Sequence, residues 1–298
     1  MVTTTLPAGA SAPAAGPVTG PGLYDLTADE YHADPVPGGS LSSSGARKLL
    51  PPSCPALFRH EQDNPPPPKA TFDFGHAAHR LVLDAGPELV PLDFDDWRTS
   101  AARDEREAVR ESGAMPLLRK DYDVVQAMAN ALWQHPVARK LFEPGSGTPE
   151  SALVWRDGPT GVMRRALLDW RPAPGPGRMV IPDYKTTRSA EPAALQRAMH
   201  EYGYHQQADW YRSGCRALGL AGDDAQFVFV CQEKTPPYLV TVYQPSAMAM
   251  RIGAARNRRA IETYAECVET GRWPGYSDDI AYLSLPPYAE IRDSEEYL

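Results

Sequence analysis

The chain has 298 residues, of which 42% are hydrophobic and 23% charged, a composition typical of a globular protein with one sizeable core. A formal net charge of -8 excludes a generally basic surface, so any nucleic-acid binding would depend on a locally basic groove. No apolar run approaches the roughly 20 residues of a membrane span, and the N-terminus lacks the pattern of a secretory signal. We therefore expect a cytoplasmic protein with no membrane partner.

The first 22 residues are rich in Ala, Gly, Pro, Thr and Ser and lack hydrophobic periodicity, which predicts a disordered tail over residues 1–22. We expect residues 23–298 to form a single domain. Its first part, residues 23–145, is predicted to be mainly helical. Its second part, residues 146–298, is predicted to contain the main sheet and a C-terminal helix.

Helical signals dominate the first half of the chain. Serines at positions 42 to 44 precede a short apolar stretch and are typical of a helix N-cap, and prolines at positions 65 to 68 predict a stiff link. Further along, apolar residues recur at helical spacing or lie within charged helical segments. The predicted helices cover residues 72–83, 102–113 and 121–142.

The hydrophobic period changes to that of strands after residue 147. Short runs of β-forming residues are separated by turns rich in Gly and Pro. The predicted strands cover residues 151–156, 162–170, 179–184, 226–232 and 238–243. The predicted helices of this half cover residues 192–218 and 245–270. This order predicts an α/β fold in which a mixed sheet of about five strands carries helices on its faces.

Two aspartates close neighbouring apolar runs. Asp169 ends the run 162–170, and Asp183 belongs to a Pro-Asp-Tyr-Lys sequence that places Lys185 two residues beyond it. Side chains alternate along a strand, so Asp183 and Lys185 share one face. Carboxylates are preferred Mg²⁺ ligands, and a cation with an ammonium group can stabilise a phosphodiester under attack by water. The alternative is a solvated strand end with a surface ion pair, because Asp-x-Lys is a common sequence.

Several further segments accompany these aspartates. They are Tyr31-His32, residues 41–44, Gly75 to His79, Glu150, Gln207 to Tyr211, residues 229–234 and residues 273–276. Together with the aspartates they resemble the PD-(D/E)XK nuclease superfamily, its RecB-like exonucleases and, within these, the phage and prophage exonuclease VIII (RecE-like) nuclease domains. The likeness extends from about residue 24 to residue 288. It implies a restriction-endonuclease-like core with a helical N-terminal elaboration.

The resemblance implies a Mg²⁺ site, with Mn²⁺ as a substitute. Its ligands would be His79, Asp169, Asp183 and the main-chain carbonyl of Tyr184. Lys185 would position or deprotonate the attacking water. Neutral imidazole binds divalent metals, whereas a lone histidine on a helix is more often a structural residue.

Three more residues are implied at the site. Glu150 would bind the metal directly or through water, and the alternative is a charged residue at a strand start. Gln207 and Tyr211 are four residues apart on a predicted helix and therefore share a face. They would hydrogen-bond Lys185, the attacking water or a phosphate. The alternative for Tyr211 is packing between helix and sheet.

The DNA contacts are less well defined by the sequence. Related sequences often carry an arginine two residues before the first aspartate, and that position is Leu167 here. Arg165 lies on the same strand face as Asp169, so we expect it to supply the phosphate contact instead. Its neighbour Arg164 points the opposite way and is expected to be solvated.

Other candidate DNA contacts lie at two helices. Arg256 and Arg259 in the last predicted helix are expected to contact phosphates without regard to sequence. Ser42 and Ser44 at a helix N-terminus are expected to receive a terminal 5′-phosphate. A solvated helix face and ordinary helix capping explain these four residues equally well.

The function implied by the resemblance is that of a Mg²⁺-dependent DNA exonuclease. It would degrade linear double-stranded DNA from 5′ ends and leave single strands for homologous recombination. The implied partner is a single-strand annealing protein of the RecT type. Because a chain of net charge -8 has little long-range attraction for DNA, we also expect a ring of three or four subunits that encloses its substrate.

Two alternatives differ in chemistry. One is a RecB-like nuclease that acts on single-stranded DNA or in CRISPR adaptation and carries an iron–sulfur cluster. The cysteines argue against that cluster because they form no CxxC pair, so we expect no iron–sulfur cluster. The other is a DNA-binding relative without catalysis, against which the intact set of Asp169, Asp183 and Lys185 argues. The cysteines are Cys54, Cys215, Cys231 and Cys267.

Overall fold

The computed structural model describes residues 16–65 and 74–298. Residues 1–15 of the predicted tail, residues 66–68 of the predicted link and the start of the helix predicted from residue 72 lie outside this part. The end of the predicted tail packs on the body. Val18 is 2% exposed, and the amides of Thr19 and Gly20 donate to the Tyr24 hydroxyl. The prediction of an unpacked tail is therefore wrong at its end, because Val18 contributes to a small core.

The described part of the chain contains nine strands. They are β1 (Gly22–Asp25), β2 (Leu41–Ser42), β3 (Leu89–Leu92), β4 (Met115–Leu118), β5 (Gly147–Arg156), β6 (Met163–Pro172), β7 (Val180–Thr187), β8 (Gln226–Glu233) and β9 (Val240–Tyr243). The five predicted strands are all present, as β5 to β9. The four short strands β1 to β4 were not predicted, since runs of two to four residues carry too little alternation to be recognised.

The helices of the described part lie singly or in groups between and after these strands. They are α1 (Ala28–His32), α2 (Ser43–Lys48), α3 (Pro55–Asp63), α4 (Phe74–Leu83), α5 (Ser100–Glu111), α6 (Arg119–Gln134), α7 (Ala138–Leu141), α8 (Pro192–Glu201), α9 (Tyr204–Ala217), α10 (Ala247–Thr270) and α11 (Pro287–Tyr297). No helix in the described ranges is long and apolar enough to cross a membrane.

The strands form two principal sheets that meet at β6 and β7. In the first, β5 pairs antiparallel with β1 on one side and with β6 on the other, and β2 pairs parallel with β6. In the second, β7 pairs parallel with β8, and β8 pairs antiparallel with β9. No ladder joins β6 to β7, although the two strands are in contact. Strands β3 and β4 form a separate parallel pair. The predicted mixed α/β architecture is confirmed.

Helices cover both faces of the two sheets. On one face α9 and α10 close the larger core, in which Leu168, Trp210 and Phe229 are buried. On the other face α4 and α6 close a second core, which includes Met128 and Tyr184. The boundary between the two sheets, where β6 contacts β7, thus lies between these two cores.

Two predicted helices are interrupted. The helix predicted over 121–142 ends at Gln134 and resumes at Ala138, because Pro136 lacks the amide needed to continue it. The helix predicted over 192–218 divides into α8 and α9 at Gly203, whose φ of 67° is left-handed. Both predictions of a single continuous helix are wrong, and the second break determines where α9 begins beside the site.

The C-terminus differs from the prediction by one element. Helix α10 ends at Gly271, which has a φ of 70°, as expected of a glycine that terminates a helix. Helix α11 was not predicted. None of its residues is buried, so it lacks the apolar face turned to a core by which sequence analysis recognises a helix.

Candidate metal and nuclease site

Strand β7 divides its side chains between the two cores. Ile181 faces the larger core, and Asp183 and Lys185 follow on that side by alternation. Tyr184 points into the second core, where its hydroxyl donates to Gln232 Oε1 at 2.6 Å. Gln232 in turn donates from Nε2 to the carbonyl of Met128 at 2.7 Å. This network fixes β7 to β8 and α6, and therefore fixes the position of Asp183.

Three side-chain or main-chain groups that could bind a metal lie close together where β6 contacts β7. The amide of Tyr184 donates to Asp169 Oδ2 at 2.7 Å. In a continuous sheet this amide would donate to a carbonyl of the neighbouring strand instead. His79 on α4 places Nε2 2.9 Å from the Tyr184 carbonyl oxygen and 3.5 Å from Asp169 Oδ2. The structure therefore brings together His79, Asp169 and the Tyr184 carbonyl, as the resemblance implied.

The second carboxylate is held from α9 and from its own strand. Asp183 is 1% exposed, and Gln207 Nε2 donates to its Oδ1 at 2.7 Å. Lys185 Nζ lies 2.5 Å from Asp183 Oδ2 as an ion pair, although no hydrogen bond of good direction reaches that oxygen. Asp183 Oδ2 is thus buried with lone-pair capacity left over.

Helix α9 supplies three side chains to this side of the sheet. Gln207 lies one turn after Tyr204 and one turn before Tyr211. The Tyr204 ring lies 5.8 Å from Lys185 Nζ and stacks on Phe229. Burial, with the neighbouring charges of Tyr31, Asp183 and Asp169, raises the pKa of Tyr211 well above its ordinary value, so its hydroxyl stays neutral.

Tyr204 is a weaker candidate from the sequence, because its position one helical turn before Gln207 places both side chains on the same helix face. In the structure the Lys185 ammonium faces the Tyr204 ring, a cation–π contact that orients the charge.

Glu150 sits directly across the strand pair from Asp169. The register of β5 and β6 pairs Pro149 with Trp170 and Ser151 with Leu168, and it skips the position between them. Glu150 occupies that position with a φ of 46°, a left-handed conformation that is costly for a glutamate. Its charge contributes to raising the pKa of Asp169.

Burial and excess negative charge shift the pKa values of the four titratable groups. Burial, aided by Asp169, raises the pKa of Asp183 to about 7 despite the Lys185 ammonium. Burial likewise raises the pKa of Asp169. Burial opposes the charge of Lys185, but Asp183 and Asp169 outweigh it and hold the Lys185 pKa above its ordinary value. Burial and the Lys185 charge lower the pKa of His79, so its imidazole is neutral.

These residues fit a divalent cation. The buried carboxylate of Asp183 and the partly buried carboxylate of Asp169 face one ammonium, which leaves an excess negative charge that either a proton or a metal must balance. In an octahedral Mg²⁺ shell with bonds of about 2.1 Å, adjacent ligand atoms lie about 3 Å apart. The separations of 2.9 Å and 3.5 Å around His79 Nε2 are close to that value. Asp183 Oδ2, which lies 2.5 Å from Lys185 Nζ, keeps lone-pair capacity for a further bond.

The side chains alone do not complete a ligand set. Among the residues that the structure describes, no three His, Cys, Asp or Glu side chains cluster as a metal site. A bound cation would therefore depend on the Tyr184 carbonyl and on water as well as on His79, Asp169 and Asp183. His79 Nε2 points at that carbonyl as a donor, so it would have to give up this proton to bind a metal.

The arginines expected to bind DNA are mostly engaged within the protein. Arg165 is buried, and its Nη1 lies 2.8 Å from Asp34 Oδ2 and 2.7 Å from the Ser40 carbonyl oxygen. Arg256 donates to Gln206 and to the Pro51 carbonyl. Arg259 on α10 is exposed. The structure thus brings Arg165 and Arg256 into structural contacts and leaves only Arg259 open to solvent.

Arg164 and the serines also have structural partners. The expectation that Arg164 is solvated is wrong, since it is buried between the rings of Trp155 and Trp210, 4.7 Å and 3.9 Å from their centroids. Ser42 caps α2 by accepting from the Gly45 amide, and its hydroxyl lies 3.1 Å from that of Ser44.

The fold resembles that of a known crystal structure. That structure, described as a "putative exonuclease" from Eubacterium rectale, superposes with a TM-score of 0.54 over 90% of this chain and 98% of its own, at 11% sequence identity. A second structure, of the protein SSO0001, has a TM-score of 0.30 and 13% identity over 63% of this chain and 84% of its own, too low to bear on the fold. No curated protein matches the sequence.

A family profile described as a PDDEXK-like domain of unknown function (DUF3799) matches residues 42–286. This span begins at the cap of α2, includes every residue of the candidate site and ends just before α11. The expected membership of the PD-(D/E)XK superfamily is confirmed, and together with the site it supports a nuclease. The chain belongs to the DUF3799 family of PDDEXK-like domains.

Proposed function

We propose that this protein is a divalent-metal-dependent exonuclease that acts on linear double-stranded DNA. The observation that carries the proposal is the meeting of a buried carboxylate, a partly buried carboxylate, an ammonium and a neutral imidazole at the boundary of β6 and β7. A structural ion pair would need one carboxylate for Lys185. The second carboxylate, which Lys185 does not neutralise, favours a cation at this place.

Each residue has a distinct task in this proposal. Asp169, Asp183, His79 and the Tyr184 carbonyl would hold Mg²⁺ or Mn²⁺. When bound, such a cation neutralises charge on the phosphoryl oxygens and acidifies water. Gln207 orients Asp183 through its hydrogen bond.

Lys185 serves as a positive charge beside the scissile phosphate. The carboxylates hold its pKa above the ordinary value, which favours positioning and charge stabilisation over a role as general base. The Tyr204 ring faces the Lys185 ammonium and holds it beside Asp183.

The finer features of the activity rest on the resemblance alone. We propose cleavage in the 5′-to-3′ direction, a role in homologous recombination and cooperation with an annealing protein of the RecT type. The choice between Mg²⁺ and Mn²⁺ is open in this proposal, because carboxylate and carbonyl ligands suit both ions and an imidazole ligand favours the softer of the two.

The test uses linear duplex DNA labelled at the 5′ or the 3′ end, with closed circular duplex and single strands as further substrates. We expect metal-dependent release of nucleotides from linear duplex, with no cut in the circle. Asp169→Asn, Asp183→Asn and Lys185→Ala should each lower the rate by about a thousandfold, since several kcal/mol of charge stabilisation are lost.

Asp223→Asn is the matched control, because Asp223 forms only an exposed ion pair with Arg216 and should keep the wild-type rate. Unchanged cleavage in all three site variants would contradict the assignment. Cutting of closed circles would replace the exonuclease by an endonuclease. Exclusive degradation of single strands would favour the alternative substrate class.

Gln207→Ala tests the positioning role separately. Loss of a residue that orients a ligand typically costs about 10–100-fold in metal affinity or activity. We therefore expect a weaker dependence on metal concentration and a partial rate at saturating metal. Gln126→Ala removes a comparable amide that bonds to Tyr122 on α6 and should change neither quantity.

A further inference from the structure

The chain leaves the body of the protein after Pro274. Trp273 stacks on Phe58 with ring centroids 5.7 Å apart, and the Pro274 carbonyl accepts from the Ala56 amide at 3.0 Å. These contacts attach the end of α10 to α3. Residues 276–298, here called the C-terminal arm, follow this anchor and include α11.

The arm is unusually apolar for an exposed segment. Sixteen large hydrophobic residues are exposed in the described ranges, and nine of them lie in the arm, with exposures from 57% to 106%. They are Tyr276, Ile280, Tyr282, Leu283, Leu285, Tyr288, Ile291, Tyr297 and Leu298. Exposed apolar clusters of this size mark interaction surfaces.

The conformation of the arm points the same way. Helix α11 has 11 residues and buries none of them. An isolated helix shorter than about 12–15 residues is marginal in water, so α11 needs a partner surface to be stable. Tyr288 and Ile291 lie one turn apart on α11 and form the start of an apolar face for such a surface.

The arm is also acidic, which limits the surfaces that it can bind. It carries six carboxylates and a single basic residue, Arg292. The carboxylates belong to Asp278, Asp279, Glu290, Asp293, Glu295 and Glu296. Its partner should therefore combine apolar and basic side chains.

The first half of α10 presents such a surface. Met248 and Ile252 are 57% and 49% exposed, and Ala255 and Arg259 continue the same helix face. Arg251 is exposed beside them. These five residues are here called the α10 face. They contrast with Arg258 in the same helix, which is paired with Asp157 and Glu262.

In the structure the arm does not cover the α10 face of its own chain, because the apolar residues of both surfaces are exposed. Ile252 lies about 27 Å along the helix axis from Thr270, at a rise of 1.5 Å per residue. The exposed positions in between include Glu262, Glu266 and Glu269, which repel an acidic segment. The arm of one copy meets no such barrier on another copy.

We propose that the C-terminal arm of one copy docks on the α10 face of a second copy of this chain. The apolar residues of the arm cover Met248 and Ile252, and its carboxylates face Arg251 and Arg259. Reciprocal exchange gives a dimer, whereas head-to-tail exchange gives a closed ring or a longer assembly. The proposal does not depend on nuclease activity.

The test compares molar masses by light scattering over a micromolar concentration series. Wild type should exceed the monomer mass. The arm variant Tyr282→Asp with Leu283→Asp and the face variant Ile252→Asp with Arg259→Glu should both fall to the monomer mass. A control with Leu57→Asp and Val137→Asp changes two exposed residues outside both surfaces and should keep the wild-type mass. Thermal melting of each variant verifies folding.

Mixing the two variants gives the decisive result. The arm variant keeps an intact α10 face, and the face variant keeps an intact arm, so an equimolar mixture should form a dimer that neither forms alone. A monomeric wild type, a face variant that stays associated, dissociation of the control or a mixture that stays monomeric would each overturn the proposal. If the wild type is monomeric and the arm variant binds DNA more tightly than the wild type does, the arm is autoinhibitory instead.

Discussion

At the scale of single residues, the candidate site is defined by a charge imbalance. Asp169 and Asp183 lie beside a single ammonium, and Glu150 adds further negative charge across the strand pair. Burial and this negative charge raise the pKa of Asp183 to about 7, which favours a proton on this carboxylate in the metal-free protein. Proton and metal therefore compete for the same carboxylate, which links stability, pH and metal binding.

The first prediction concerns the metal-free protein. Burial raises the pKa of Asp183 from 3.8 to about 7, so folding takes up a proton between these pH values. The stability from this uptake is fully present below about pH 4 and is lost as pH rises through 7. Between pH 6 and pH 8 the unfolding free energy in chelator should fall by about 1 kcal/mol relative to Asp183→Asn.

Urea unfolding at the two pH values measures this difference. Asp223→Asn should behave as wild type because Asp223 is an exposed residue at a surface ion pair. A metal-free stability that does not change between these pH values, relative to Asp183→Asn, would show that Asp183 is already ionised at pH 6.

The second prediction concerns backbone strain at Glu150. A left-handed glutamate costs roughly 1–3 kcal/mol, and a glycine adopts this conformation freely. Glu150→Gly should therefore raise the unfolding free energy by about 1 kcal/mol and lower metal-dependent cleavage. Glu150→Ala keeps the strain and removes the carboxylate, so it should lose activity without gaining stability. Equal activity in wild type and both variants would assign Glu150 a structural role.

At the scale of elements, the break between α8 and α9 decides how the site is built. A continuous helix would carry Tyr204 and Gln207 along the axis of α8. The left-handed Gly203 ends α8 and starts α9 in a new direction, so that the first turn of α9 reaches Asp183. The sequence predicted one helix because a single glycine is tolerated within helical patterns, and its conformation depends on tertiary packing.

The third prediction tests this break. A Cβ at Gly203 would be strained by its left-handed φ and would approach Arg47 Cδ at 2.8 Å. Gly203→Ala should cost about 1–2 kcal/mol and reduce cleavage about tenfold, because it shifts the turn that carries Gln207. Gly219→Ala is the matched control, with a φ of 69° and open space around the added Cβ.

Thermal unfolding and cleavage rates distinguish the two glycines. Gly219→Ala should cost about 1 kcal/mol and leave cleavage unchanged. If the two variants lost stability equally and both remained fully active, the direction of α9 would not depend on Gly203.

At the scale of the whole molecule, alternation and turn signals predicted the five long strands and their order along the chain. They also predicted that Asp183 and Lys185 share a face. They could not predict the burial of Arg164 and Arg165, because a charged residue in a strand gives no sign of a partner distant in sequence. Arg165 is compensated by Asp34, more than 100 residues away, and Arg164 by Asp157 and two tryptophan rings.

The fourth prediction concerns the N-terminal segment. Val18 is 2% exposed in a small core with Tyr24 and Tyr31, on the sheet face that also carries Leu167. Val18→Ser buries a hydroxyl and removes methyl contacts, so it should lower the unfolding free energy by about 2 kcal/mol. Val137→Ser, at a residue that is 49% exposed, should have little effect. Equal stability of the two variants in urea unfolding would show that Val18 does not pack on the body of the protein.

The absence of a ladder between β6 and β7 means that the two candidate carboxylates, Asp169 and Asp183, belong to separately hydrogen-bonded sheets. The hydrogen bond from the Tyr184 amide to Asp169 crosses this boundary. A cation held by Asp169 and Asp183 would therefore link the sheet that contains β6 to the sheet that contains β7. Each ion that binds should then raise the melting temperature by an amount that depends on its affinity. The preferred ion can therefore be identified from thermal unfolding without any substrate.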